Sequence, residues 1–185
     1  MPALAGTCSI PEDWGSGDAL SVINDSRVIT VGIAELKVAR FPTNLSVIGL
    51  GSCIGVCLFD LAAQIGGIAH VMLPELIYAK GAVNKAKFGD TAIEALLEEV
   101  LKAGAALDGI VAKIAGGAHM FHIPASQTSL KLGERNAAAV KLALNKCNIP
   151  LIAEDIGGQH GRTIMLDTAN GRVLIKTINQ GEKII

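Results

Sequence analysis

The strongest constraint on this chain is a rhythm of short apolar runs, rich in Val, Ile and Leu, each cut off by Gly, Pro, Asn or Asp. Runs of four to eight such residues bounded by turn formers read as strands. They fall at residues 28–38 (with a glycine interruption), 45–50, 54–59, 65–73, 110–114, 151–154, 163–166 and 173–178. Phe41-Pro42-Thr43-Asn44 reads as a turn, and Pro74 closes the fourth run. Asn170-Gly171 predicts a hairpin between the last two runs, because a type I′ turn needs positive φ at both central positions.

Only two stretches have helical spacing. Ile93, Leu96, Leu97, Val100 and Leu101 form one apolar stripe. Thr91 and Glu94 have the spacing of a capping box, and Gly104 is a suitable stop. A second helix is expected over 134–147, with Val140, Ala143, Leu144 and Cys147 on its apolar face and Pro150 barring its continuation. Strands outnumber helices and the final pair is antiparallel. The expected fold class is therefore α+β with a mixed sheet, not a doubly wound parallel sheet.

Composition narrows the function classes. Half of the residues are hydrophobic but only 3% are aromatic, so the core is aliphatic. A net charge of −1 offers no electrostatic footprint for nucleic acid or an anionic membrane. No apolar run reaches the ~18 residues of a membrane span. Residues 1–18 lack a basic region and carry Glu12, Asp13 and Asp18, so they do not read as a secretory signal. Four irregularly spaced cysteines suit a reducing cytoplasm better than a disulfide framework. Residues 1–28 read as a loosely ordered lead and 29–185 as one domain.

Chemistry concentrates in two segments. Gly49-Leu50-Gly51-Ser52-Cys53 sets a thiol just after two alternating glycines, which let the backbone bend and another chain approach. Backbone N–H groups near Cys53 and Ile54 could face a developing oxyanion. The bland alternative is a small buried cysteine. Gly66-Gly67-Ile68-Ala69-His70-Val71-Met72-Leu73-Pro74 sets a histidine inside an apolar strand. An imidazole within reach of a thiol can take its proton and later return it to a leaving amine. The spacing of Cys53 and His70 suits neighbouring strands joined by a turn near 60–64. A core histidine satisfied by a backbone carbonyl is the alternative.

Together with Val56-Cys57-Leu58-Phe59-Asp60, these two segments resemble the CheD family. The likeness continues through Lys87-Phe88-Gly89-Asp90-Thr91-Ala92, Ala112-Lys113-Ile114-Ala115-Gly116-Gly117-Ala118, Met120-Phe121, Gly133-Glu134-Arg135-Asn136 and Ala153-Glu154-Asp155-Ile156-Gly157-Gly158. It runs from about residue 30 to the C-terminus. The resemblance implies a deamidase that converts chemoreceptor glutamines to glutamates, with glutamyl methylesterase activity and a CheC phosphatase partner. It implies a β-sandwich-like core with outer helices, similar to the cytotoxic necrotizing factor catalytic domain. It places the nucleophile on Cys53 and the general base on His70, with no metal or organic cofactor. Ser52, Ile54 and Ser46 are candidates for oxyanion or orienting roles.

One position departs from the family. CheD proteins orient the histidine with a threonine six residues before the cysteine, and this chain has Val47 there. Another group orients His70, or a bulge presents Ser46, or deamidation is weakened and the chain serves as a CheC-binding module. Thr43 also carries a hydroxyl nearby, but a one-residue offset turns Ser46 to the other face.

The remaining candidates have ordinary readings. Cys57 reads as a small core residue, because four residues of strand hold it about 13 Å from Cys53. His119 and His122 would complete a zinc set with Cys53 but read as loop histidines; His160 is similarly open. Phe121 is a candidate contact for a partner helix, such as a chemoreceptor or CheC would present. Glu154 and Asp155 face opposite sides of a strand and cannot flank one substrate. Arg135 is a carboxylate binder or a surface ion-pair former.

Overall fold

The computed structural model describes residues 27–76, 83–120 and 132–185. Among them lie ten strands, β1 (Val28–Thr30), β2 (Leu36–Arg40), β3 (Asn44–Leu50), β4 (Ile54–Asp60), β5 (Ile65–Val71), β6 (Ile110–Gly116), β7 (Leu151–Ile156), β8 (Arg162–Leu166), β9 (Val173–Thr177) and β10 (Gly181–Ile184). Two α-helices accompany them, α1 (Gly89–Lys102) and α2 (Leu132–Lys146). The strands form two five-stranded sheets, ordered β1-β3-β8-β9-β10 and β2-β5-β4-β6-β7. Each sheet is mixed: β1–β3 and β6–β7 are parallel pairs and the other pairings are antiparallel. The α+β expectation with mixed sheets is what the chain adopts.

Side-chain alternation turns the two sheets into three layers. One face of β4 carries Ile54, Val56 and Leu58, which pack with Ala69, Val71, Ile93, Leu96 and Val100 and with Val140 and Leu144 of α2. The other face carries Cys57, which joins Ile68, Leu45, Val47, Leu50, Ile164 and Ile175 in a core between the sheets. Every residue of β4 and β5 is buried, which explains why these strands read as continuous apolar runs. Ile93 and Leu96 are fully enclosed, and each such side chain contributes roughly 1.5–3 kcal/mol. Among the described residues no helix is long and apolar enough to cross a membrane.

Several local expectations change. Run 28–38 is two strands in different sheets, because the chain crosses between layers around Gly32. There is no capping box on α1. The helix starts at Gly89 with Phe88 as N-cap, and the Thr91 hydroxyl donates backward to the Lys85 carbonyl at 2.7 Å. Its first N–H groups are met instead by Leu73 and Pro74 carbonyls. Helix α2 starts before 134, at Leu132, and ends at Lys146. The β8–β9 hairpin forms, but not through a two-residue I′ turn. Only Gly171 of the Asn-Gly pair has positive φ, and Asp167 caps the wider loop through Ala169 N–H and Asn170 Nδ2. Strand β10 escaped the sequence reading because its burial is slight.

Candidate functional site

Cys53 lies half-buried between β3 and β4, in a loop whose three consecutive carbonyls are all engaged. Ala118 N–H donates to Gly51 O at 2.8 Å and Gly117 N–H donates to Cys53 O at 2.8 Å. Asn136 Nδ2 donates to Ser52 O at 2.9 Å. The approach is close enough that a Cβ on Gly116 (φ +121°) would run into the Cys53 carbonyl, so a glycine is required there. The Ser52 and Cys53 N–H groups donate to no group among the described residues.

His70 enters from β5. In the β4–β5 ladder Gly55 stands directly opposite it, and Ala115 stands on the other side of Gly55. Ile68 faces the inter-sheet core while Ala69 and Val71 face the helices, so alternation turns His70 toward the inter-sheet side. Cys53 packs against that same core. The two side chains therefore share one face at one end of the second sheet, Cys53 standing two residues before Gly55, the cross-strand partner of His70.

No hydrogen bond joins them. Both ring nitrogens of His70 are buried and have no hydrogen-bond partner among the described residues. Burial holds the imidazole below its ordinary pKa, and the Val31 carbonyl pulls weakly the other way without the alignment of a full hydrogen bond. The main chain of His70 is firmly placed: its N–H donates to Glu35 O at 2.9 Å and its carbonyl accepts from Ala34 N–H at 3.0 Å. Burial pushes the Cys53 thiol up. Both shifts favour the uncharged forms, thiol and neutral imidazole.

Val47 is fully buried in the inter-sheet core. The Ser46 hydroxyl lies 3.4 Å from Thr30 Oγ1 and does not reach the imidazole. Its carbonyl instead accepts the Val31 N–H at 2.8 Å, which fixes the strand carrying the Val31 carbonyl. The bulge in β3 does exist, between Val47 and Leu50, past Ser46. Thr43 lies at the opposite end of β3, where its carbonyl takes the Thr168 hydroxyl. Ser52 contributes its carbonyl to Asn136, and Ile54 is paired with Val71 on one side and Gly116 on the other.

Cys57 is a core residue, as expected. It pairs with Lys113 across β4–β6, and burial pushes its thiol up to about 12 while the lysine is lowered to about 8. His119 Nε2 is 3.3 Å from Glu134 Oε1, and no metal-binding cluster occurs among the described residues. Phe121 and His122 lie outside the described residues. Glu154 meets Lys141 on one face of β7, and Asp155 meets Arg162 and Lys183 on the other. Arg135 is exposed. A polar cleft of about 470 Å³, lined by Asp155, His160, Arg162, Gln180 and Lys183, lies beside the site; neither Cys53 nor His70 lines it.

Asn136, within the Gly133-Glu134-Arg135-Asn136 motif, is a site residue that the sequence does not single out. It is fully buried and touches both arms of the site, since Nδ2 also donates to Met72 O at 3.1 Å. The signal was a polar residue on the apolar stripe of α2, in step with Val140, Ala143 and Leu144.

The family profile described as CheD chemotactic sensory transduction matches residues 72–177. A protein named "Probable chemoreceptor glutamine deamidase CheD" from Desulfitobacterium hafniense is 47% identical over 86% of this chain and 99% of its own length. Proteins of the same name from Syntrophomonas wolfei and Caldanaerobacter subterraneus are 46% and 45% identical, over 86% and 87% of this chain and 99% of theirs. With near-complete coverage of each relative at this identity, the chain belongs to the CheD family.

Proposed function

We propose that this protein is a glutamine deamidase of chemoreceptor cytoplasmic helices, using Cys53 as nucleophile and His70 as general base. The observation that carries the reading is the sheet face that Cys53 and His70 share at one end of the β4–β5 pair. The names of the relatives supply the substrate class.

His70 takes the Sγ proton of Cys53, and the thiolate attacks the side-chain carboxamide carbon. N–H groups of the 52–54 segment hold the oxyanion. The proton passes from His70 to the departing nitrogen, the C–N bond breaks, and ammonia leaves behind a thioester. His70 then takes a proton from water, whose oxygen adds to the thioester carbon. The C–S bond breaks, the thiol is reprotonated and a glutamate side chain is released. A glutamyl methyl ester would follow the same course with methanol as the leaving group. The missing resting hydrogen bond fits this scheme, since catalytic hydrogen bonds often tighten only when substrate is bound. The two stacked sheets with helices outside also support the likeness to the necrotizing factor catalytic domain, and a CheC phosphatase belongs to this reading as partner.

A second reading has one observation in its favour. Val47 offers no acceptor and the His70 ring has no hydrogen-bond partner among the described residues, which suits a CheC-docking module with weakened catalysis. Incubation with chemoreceptor cytoplasmic domains, reading Gln→Glu conversion by peptide mass spectrometry, separates the two. Conversion above a Cys53→Ala control supports the deamidase. CheC binding without conversion supports the module.

A further inference from the structure

Asn136 stands out among the buried polar groups. Its side chain is completely enclosed, and its Oδ1 has no hydrogen-bond partner among the described residues. Both Nδ2 protons are used, at 2.9 Å on Ser52 O and 3.1 Å on Met72 O. The reverse amide orientation would set Oδ1 against two carbonyl acceptors, so the network fixes which way the group points. Ser52 precedes the proposed nucleophile, and Met72 follows Val71, the last residue of the strand that carries His70. One side chain from a third element thus ties the Cys53 arm to the His70 arm. An apolar residue would fill the space without burying an orphan acceptor, and orphan buried acceptors are costly enough to be rare.

The hydrogen bond to Ser52 O has a consequence at the next atom. Among the described residues the only cis peptide is Phe41-Pro42, so the Ser52–Cys53 peptide is trans and planar. Its C=O and N–H point in opposite directions. Pinning Ser52 O to the buried Asn136 therefore turns the Cys53 N–H away from α2, and that N–H donates to no group among the described residues. A preorganised N–H adjoining a nucleophile is the donor that a tetrahedral intermediate requires.

We infer that Asn136 is a positioning residue for the reaction, holding the Ser52–Cys53 peptide so that the Cys53 N–H is aimed as an oxyanion donor. This rests on the deamidase reading above. The thiol itself does not depend on Asn136, because Gly117 and Ala118 clamp the same loop through its other carbonyls. Asn136 should therefore matter to acyl transfer and not to simple alkylation of Cys53, which forms no oxyanion.

The test uses the full chain with Asn136→Leu, which keeps the volume, and Asn136→Ala. Three quantities are compared with wild type: kcat and KM for receptor-domain deamidation, the rate of Cys53 alkylation by iodoacetamide, and the melting temperature. Loss of one oxyanion donor lowers kcat by roughly 10²–10³-fold. The expected result is a fall of that order in both variants, with KM and alkylation within about threefold of wild type. Wild-type kcat in either variant overturns the inference. So does a fall in alkylation that tracks the fall in kcat, or failure of both variants to fold, since each marks a purely structural residue. A wild-type protein no more active than Cys53→Ala removes the deamidase reading, and this inference with it.

Discussion

Gly55 and His70 face each other across the β4–β5 ladder, and the space on the inter-sheet face of Gly55 is filled by Ile164 and Leu50. A Cβ there would lie 2.5 Å from Ile164 Cδ1 and 3.0 Å from Leu50 Cδ1, both fully buried. Gly55→Ala should cost roughly 1–3 kcal/mol by overpacking. It should also lower deamidation more than the stability loss explains. Urea melts and the receptor-domain assay, run at a denaturant-free temperature where both proteins are folded, check both parts. An alanine variant with wild-type turnover would show that the space is not needed.

Val47→Thr tests how His70 is oriented. Position 47 is sealed in the inter-sheet core, so an unpartnered hydroxyl there would cost about 1–3 kcal/mol. If the hydroxyl finds the orphaned imidazole, a bond worth about 1 kcal/mol corresponds to roughly fivefold in rate. The expected result is a severalfold rise in kcat with little loss of melting temperature. A lower melting temperature with unchanged kcat would leave orientation to the Val31 carbonyl.

The pH profile follows from two burial effects. In the proposed mechanism neutral His70 is the base, and its pKa is depressed, so the base form persists to lower pH than for an ordinary histidine. The acid limb of kcat/KM should have its midpoint below 6.5, the ordinary value. The Cys53 thiol is raised, so its alkylation rate in the absence of substrate should still be climbing above pH 9.0. Peptide mapping keeps Cys53 distinct from the other cysteines. An alkylation plateau near neutrality would reveal a thiolate–imidazolium pair and contradict the raised thiol.

Neighbouring carboxylates on β7 should behave very differently. Asp155 and Arg162 form a pair at 3.1 Å with both side chains nearly buried, and Arg162 also donates to Gly116 O and Gly157 O. Asp155→Ala strands the guanidinium and should cost about 3 kcal/mol, the low end for a broken buried pair. Glu154→Ala removes an exposed pair with Lys141 and should cost less than about 1 kcal/mol. Denaturation midpoints of the two variants, measured side by side, decide the ranking.

Much of this is legible in the sequence. The apolar runs located nine of the strands in outline, though one run covered two of them, and the stripes of Ile93–Val100 and Val140–Leu144 marked the buried helix faces. The β4–β5 hairpin followed from the spacing of Cys53 and His70 and a turn near residues 60–64. Chain ends and caps were less legible. Thr91 and Glu94 had the letters of a capping box, yet Leu73 and Pro74, distant in sequence, had already supplied the acceptors that α1 needs.

What the sequence determined by itself was the chemistry on offer: a thiol after a pair of glycines, a histidine in a neighbouring apolar strand, and the family to which both belong. Those are properties of residue type and local period, which sequence carries directly. Tertiary structure alone decided what surrounds them. Asn136 and the Val31 carbonyl come to the site from far along the chain, and the Ser46 hydroxyl is diverted to Thr30 by the β1–β3 pairing. Hydrogen-bond partners across layers depend on how sheets and helices stack, and no local pattern encodes that.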